Sequence, residues 1–291
     1  MTFSLSVLDS ISVAGKAGRA NEDRFGHGNG FAFVLDGATG LGDRQFMEGF
    51  GSDAAWMADF AAARLQTLMA ADCDVRTVIR GIITEARDAF RAVAGDQPRH
   101  AWPLCALSML RATPEGLQFL GYGDSAVYLL EDDATEGHVL IPILGAYDNE
   151  QAAARRHVER NGGIGAAGIA TGDPVTMEGL RQARARQNTP GGPIWTFGMV
   201  PEAADHLLIE PVEITGPATA IVCSDGLADL VALYRAYDPA GLVRAAGDKG
   251  LASLVDELRH FERKIDPDGL QYPRYKQSDD TTALLVRIER S

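Results

Sequence analysis

The chain is poor in cysteine. Its three thiols, Cys73, Cys105 and Cys223, are spaced too widely for a disulfide framework or a zinc pattern. It also lacks any run of about 18 apolar residues, which sets aside a membrane span. The opening stretch MTFSLSVLDS has no basic region followed by an apolar one, so it does not read as a secretory leader. A reducing cytoplasm is the expected compartment, without a membrane partner. Basic residues are outnumbered: 27 Lys and Arg stand against 40 Asp and Glu. Backbone phosphates reward clustered cations, so no nucleic-acid partner is expected. No repeat, low-complexity block or linker divides the chain.

What is present is an ordinary globular mixture, 46% hydrophobic and 23% charged, in a chain long enough to bury a core unaided. Ser4 to Ile11 alternates apolar and polar residues and predicts a strand; Phe31 to Leu35 is a short apolar run and predicts a buried one. Helices are expected from Ser52 to Ala71 and from Asp74 to Val93. The second carries Val75, Val78, Ile79, Ile82, Ile83, Ala86 and Phe90 on one stripe. Leu104–Leu110, Leu117–Tyr122 and Ala126–Leu130 are separated by turn residues and predict an antiparallel meander. Beyond it lie a helix from Glu150 to Arg160 and another opening at Asp173-Pro174. A strand follows at Ala218–Cys223, then helices near Leu227–Tyr234, Ala240–Ala245 and Leu251–Lys264, and a last strand at Thr282–Ile288. Strands grouped between helix pairs predict antiparallel sheets flanked by helices, an α+β class.

The acidic residues recur where strands meet turns. Asp36 follows FAFVL and precedes Gly37; Asp124 follows LQFLGYG; Asp225 follows TAIVCS and precedes Gly226; Asp279 and Asp280 precede TTALLVRI. Glu22-Asp23 forms an earlier pair, close behind Arg19. Strand ends hold side chains rigidly beside solvent, and hard cations such as Mg²⁺ and Mn²⁺ take oxygen ligands. Carboxylates bridging two such ions can lower the pKa of a shared water. Each motif alone reads equally as a plain turn, since Asp-Gly is a common turn dipeptide. Their joint, ordered occurrence favours a site.

The ordered set Arg19-Ala-Asn-Glu-Asp-Arg24, Leu35-Asp-Gly-Ala-Thr-Gly40, Gly123-Asp-Ser125, Ser224-Asp-Gly-Leu-Ala-Asp229 and Asp279-Asp-Thr-Thr282 resembles the type-2C metal-dependent phosphatases, in particular bacterial-type members. The resemblance runs from about residue 10 to the C-terminus. It implies an αββα four-layer sandwich as one catalytic domain over 1–291, with a variable flap-like insertion around 145–200. It implies Mn²⁺ or Mg²⁺, two ions with a third in some members, and hydrolysis of phosphoserine or phosphothreonine on proteins without a phosphoenzyme. By position, Asp36 would bridge two metals, Gly37 would offer its carbonyl, and Asp225 and Asp279 would complete the ligands of the second metal. Asp124 with Asp225 would match the additional metal, Glu22 and Asp23 would hold metal-bound water in the outer shell, and Arg19 would grip the substrate phosphate. The partners implied are a phosphorylated protein and the kinase that made it.

The pattern departs from the family at several points. Ala38 stands where some relatives carry a leaving-group histidine, Ala126 where an arginine commonly follows Gly-Asp-Ser, and Arg19 lies closer to Glu22 than usual. These departures leave two alternatives: a silent binding module on the same scaffold, and a phosphatase for a phosphorylated small molecule. Gly163-Ile-Gly-Ala-Ala-Gly168 has dinucleotide spacing but follows a helix, so it predicts a C-cap and loop. His27 stands near Glu22-Asp23 and could face the cleft. Cys223 is expected to be buried, Ser125 and Ser224 to bond nearby turns, and the arginine-rich stretch Arg181–Arg186 to be a solvated helix face, with contact to an acidic phosphoprotein on flap closure as the alternative.

Overall fold

The computed structural model describes residues 3–70, 72–143, 145–165 and 172–290. Two antiparallel five-stranded sheets lie at its centre. The first runs β1 (Phe3–Val13), β10 (Thr281–Arg290), β9 (Ala218–Cys223), β6 (Ala126–Glu131), β7 (His138–Leu140). The second runs β2 (Arg24–Gly28), β3 (Phe31–Gly37), β4 (Cys105–Thr113), β5 (Gly116–Tyr122), β8 (Leu208–Val212).

Alternation along the strands builds the layers. Ala32 and Val34 of β3 meet Val127, Val222 and Leu284 of the other sheet in the core between them. Their neighbours Phe33 and Leu35 pack instead under α1 (Asp53–Leu68) and α2 (Val75–Ala94). Ile221 and Cys223 of β9 pack under α5 (Asp225–Ala232) and α6 (Pro239–His260). A central strand covered on both faces reads as a continuous apolar run, which is what FAFVL and TAIVC show. The result is the αββα sandwich the sequence predicts.

Local signals place the helices well. Ser52 caps α1 by accepting from the Ala55 N–H, and Asp74 caps α2 by accepting from Arg76. Val75, Ile79, Ile82, Ile83, Ala86 and Phe90 are all buried, as their spacing predicts. The expected helices at 240–245 and 251–264 form one element, α6, broken at Gly250 (φ 81°).

The meander needs correction. β4 and β5 pair as expected, but at Gly123-Asp124-Ser125 the chain crosses to the other sheet, where β6 pairs with β7 and β9. Strands buried on both faces carry no local signal for which sheet they join. Short β2, β7 and β8 had no readable pattern. Two further helices, α3 (Ala146–Asn161) and α4 (Pro174–Arg186), occupy the excursion between β7 and β8. The end of the dinucleotide-like stretch, Gly168, lies outside the described residues; its start follows the α3 C-cap at Gly162, as expected.

Candidate active site

Strand register brings the acidic motifs to one end of the sandwich. Asp36 lies opposite Ala106, Leu107 opposite Tyr122, Ala126 opposite Cys223, and Cys223 opposite Ala283. That end therefore collects the close of β3, the β5–β6 crossing, the close of β9 and the approach to β10. Ala32 and Val34 face the inter-sheet core, so Asp36, two residues on, points where that core runs out. Asp124 sits in the crossing, Asp225 is the first residue of α5, and Asp279 stands two residues before β10. All four line a cavity of about 870 Å³.

The Asp-Gly pairs are not plain turns. A side chain at Gly37 would collide with the Glu22 carbonyl oxygen, and one at Gly226 with that of Asp280. Each glycine lets a neighbouring segment close against its aspartate. The Asp225 N–H donates to Asp36 Oδ2 at 3.3 Å, tying the Asp36 carboxylate to the start of α5.

Behind this front row stands a second. Glu22 accepts from Ser52 Oγ at 2.6 Å and Thr39 Oγ1 at 2.7 Å. Asp23 is buried, and its Oδ2 has no partner. Asp280 accepts from the backbone N–H groups of Gly15 (2.8 Å) and Glu22 (2.7 Å). Arg259 donates to the Asp279 carbonyl at 2.9 Å while its other nitrogen engages Glu262.

Arg19 is not brought in. It is exposed, in the loop before β2, and does not line the cavity. His27 is likewise exposed and off the cavity. Cys223 is buried, and Ser224 Oγ accepts from the Thr282 N–H, but Ser125 Oγ has no partner, contrary to expectation.

Three cavity residues carry no mark in the sequence pattern. Glu150, on α3, places a carboxylate oxygen with those of Asp124 and Asp225, all within 4.8 Å of one another. Lys276 pairs with Asp279 at 2.7 Å. Arg184, on α4, also lines the cavity. The arginine-rich stretch is thus only partly solvated: Arg181 donates to the Leu41 carbonyl (2.9 Å) and pairs with Asp43 (2.7 Å), which seats α4 with Arg184 turned inward. Tyr147 of α3 donates to the Asp124 carbonyl at 2.7 Å. His157 is buried between the two helices, bonded to Thr176 and the Ile164 carbonyl, a structural role. Helical i,i+3 spacing puts Arg181 and Arg184 on one face of α4.

Crowded carboxylates in a shielded place resist ionisation. Burial first, then the charges of Asp124 and Asp279, raise Asp36 to about 7. Enclosure by the cavity walls, then Asp124 and Asp279, push Glu150 in the same direction, although this residue on α3 keeps solvent contact. Asp23 and Asp225 are held well above the usual carboxylate range, by burial and then by Asp36. Lys276 goes the other way: burial disfavours its charge, but Asp279 and its neighbours outweigh that and hold the ammonium protonated.

The donor set fits hard dications. It is all oxygen, its members repel one another, and bound cations would relieve that repulsion. The unpartnered Asp23 Oδ2 offers an acceptor for a metal's water behind the first ligands.

No protein-family model matches the chain, and no curated protein matches its sequence. Solved structures do match its fold. The PPM Ser-Thr phosphatase MsPP from Mycobacterium smegmatis, in complex with cacodylate, is 18% identical with a TM-score of 0.52, over 98% of this chain and 100% of that one. The catalytic domain of the serine threonine protein phosphatase PstP, in complex with two manganese ions, is 15% identical with a TM-score of 0.52, over 99% of each chain. PppA, a key regulatory component of T6SS in Pseudomonas aeruginosa, is 19% identical with a TM-score of 0.51, over 99% of this chain and 98% of that one. The chain has the fold of the PPM Ser/Thr phosphatases.

Proposed function

We propose that this chain is a metal-dependent phosphatase that removes phosphate from phosphoserine and phosphothreonine in proteins. The reading treats residues 1–291 as one catalytic domain with a flap-like insertion over 145–200. The observation that carries it is the convergence of Asp36, Asp124, Asp225 and Asp279 from four chain segments into one cavity. The serine/threonine phosphatases among the fold neighbours, one with two manganese ions, support the substrate class and the cofactor.

Asp36, the Gly37 carbonyl, Asp225 and Asp279 would hold two Mn²⁺ or Mg²⁺ ions, with Asp124 and Asp225 available to a third. Bound there, such ions supply Lewis-acid activation of water and charge neutralisation at phosphorus. The protein's own contribution is positioning. Ser52 and Thr39 both donate to Glu22, which fixes its carboxylate and keeps its remaining lone pairs for ordered water. Asp23 contributes a second acceptor of the same kind. Ala38 has no proton to give, so the leaving oxygen must draw its proton from water. α3 and α4 wall the cavity, which at about 870 Å³ admits a phosphorylated side chain with its neighbours.

The expected setting is the cytoplasm, opposite a protein kinase; among the described residues no helix is long and apolar enough to cross a membrane. The test is hydrolysis of p-nitrophenyl phosphate and of phosphoserine and phosphothreonine peptides with Mn²⁺. Activity should vanish with chelator and in Asp36→Ala. Calorimetric Mn²⁺ binding without turnover on any of these substrates would leave a binding module and end the enzyme reading.

A further inference from the structure

One shielded cation among the described residues lining the cavity keeps a buried nitrogen with no hydrogen-bond partner. Among the described residues that line it, Arg160 pairs with Asp173, Arg274 with Asp266, and Lys276 with Asp279, while Arg156 is exposed. Arg184 is different. Its Nη1 is closed off from solvent and has no hydrogen-bond partner, although the side chain borders the same space as Asp36 and Asp124.

We propose that Arg184, carried by the flap helix α4, is the residue that takes the substrate's phosphate, the role the sequence pattern gives to Arg19. The proposal rests on the phosphatase reading above and specifies how that site holds its substrate.

Three observations support it. First, a guanidinium N–H withdrawn from water without an acceptor is costly, and a phosphate oxygen is the acceptor that a planar fork fits best. Second, α4 is anchored so that Arg184 faces inward, because Arg181, one turn earlier, is bonded to the Leu41 carbonyl and Asp43 beside the Asp36 loop. Third, bound metal would remove the surrounding counter-charge. Without ions, Glu22 and Asp124 act on Arg184 from across the cavity and offset the burial that lowers it to about 10, so it is charged at neutral pH. Once dications neutralise the carboxylates, Arg184 loses those counter-charges, and an anion becomes its natural partner. Arg19, exposed and outside the cavity, has neither the shielding nor the position.

The test reads phosphate binding apart from turnover. Equilibrium dialysis of radiolabelled inorganic phosphate against the Mn²⁺-loaded full chain is compared for wild type, Arg184→Ala, Arg184→Lys and Arg19→Ala, with Mn²⁺ affinity by calorimetry and folding by circular dichroism. Loss of a charge-assisted bidentate contact should weaken phosphate binding roughly 10- to 100-fold in Arg184→Ala. Arg184→Lys, which keeps the charge but not the fork, should fall between, and Mn²⁺ binding should not weaken. With p-nitrophenyl phosphate the same loss should appear in KM. Unchanged phosphate binding in Arg184→Ala overturns the proposal, as does a loss of that size in Arg19→Ala alone, or a wild type that binds no phosphate. Phosphate binding that depends on Arg184 in a protein without turnover supports the site and removes the phosphatase reading instead.

Discussion

The two walls of the cavity are built by different means. One wall is the end of the sandwich, where register fixes every carboxylate and Gly37 and Gly226 let backbone close against backbone. The other is the α3–α4 excursion, joined to the first by a few side-chain bonds such as Tyr147 to Asp124 and Arg181 to Asp43. Burial follows the same division: α1 buries eight residues, Asp53 to Ala58 with Ala61 and Leu65, whereas α4 buries Thr176 alone. Sparse burial means a low local opening free energy. The strand-end wall is the anvil of the site, and α4 is the less firmly held part of the other wall.

The largest effect should come from the anvil. Asp225→Ala removes a carboxylate from the strand-end cluster while keeping the backbone N–H that donates to Asp36, and on the phosphatase reading should cost on the order of 10²-fold or more in kcat, the scale of a lost electrostatic contact to the transition state. Turnover at the wild-type rate would erase the distinction between the walls.

The next effect is in pH. The folded-state pKa of Asp36, about 7, lies above the value of an unfolded aspartate, so between pH 4 and 7 the metal-free native state binds the extra proton. Stability of the metal-free protein should therefore fall as pH rises through that window, by on the order of a few kcal/mol, and Mn²⁺ should restore it most strongly above pH 7. Urea unfolding at several pH values, with and without Mn²⁺, checks both slopes. A metal-free protein that gains stability over that window would show that the carboxylates are not crowded.

Glycine substitutions sharpen the contrast by sign. Gly37→Ala forces a methyl against the Glu22 carbonyl and should cost about 1–3 kcal/mol in urea unfolding. Gly179→Ala, inside α4 with open space around it, should instead stabilise by roughly 0.5–1 kcal/mol, read as a rise in helical melting temperature. Equal signs would mean that the walls are equally constrained.

The same division explains what the sequence made legible. Asp36, Asp124, Asp225 and Asp279 announce themselves because each adjoins an apolar strand, and a strand's end is a place a local pattern can mark. The fold class followed from those strands and from the α2 stripe. Which sheet β6 joins could not be read, because that choice lies in long-range pairing and both faces of the strand are apolar. Glu150, Arg184 and Lys276 were hidden because an acidic, arginine-rich or lysine-bearing surface segment looks the same in sequence whether it faces solvent or a cavity. Arg19 shows the converse: it is close to Glu22 in sequence, yet the structure leaves it exposed and off the cavity lining.

Asp280 stitches together segments far apart in sequence. Its carboxylate clasps the amides of Gly15 and Glu22, and the strand that follows it, β10, threads between β1 and β9. Loss of that carboxylate would strip two backbone N–H groups of their acceptor at once and slacken the seam between Glu22 and Asp279.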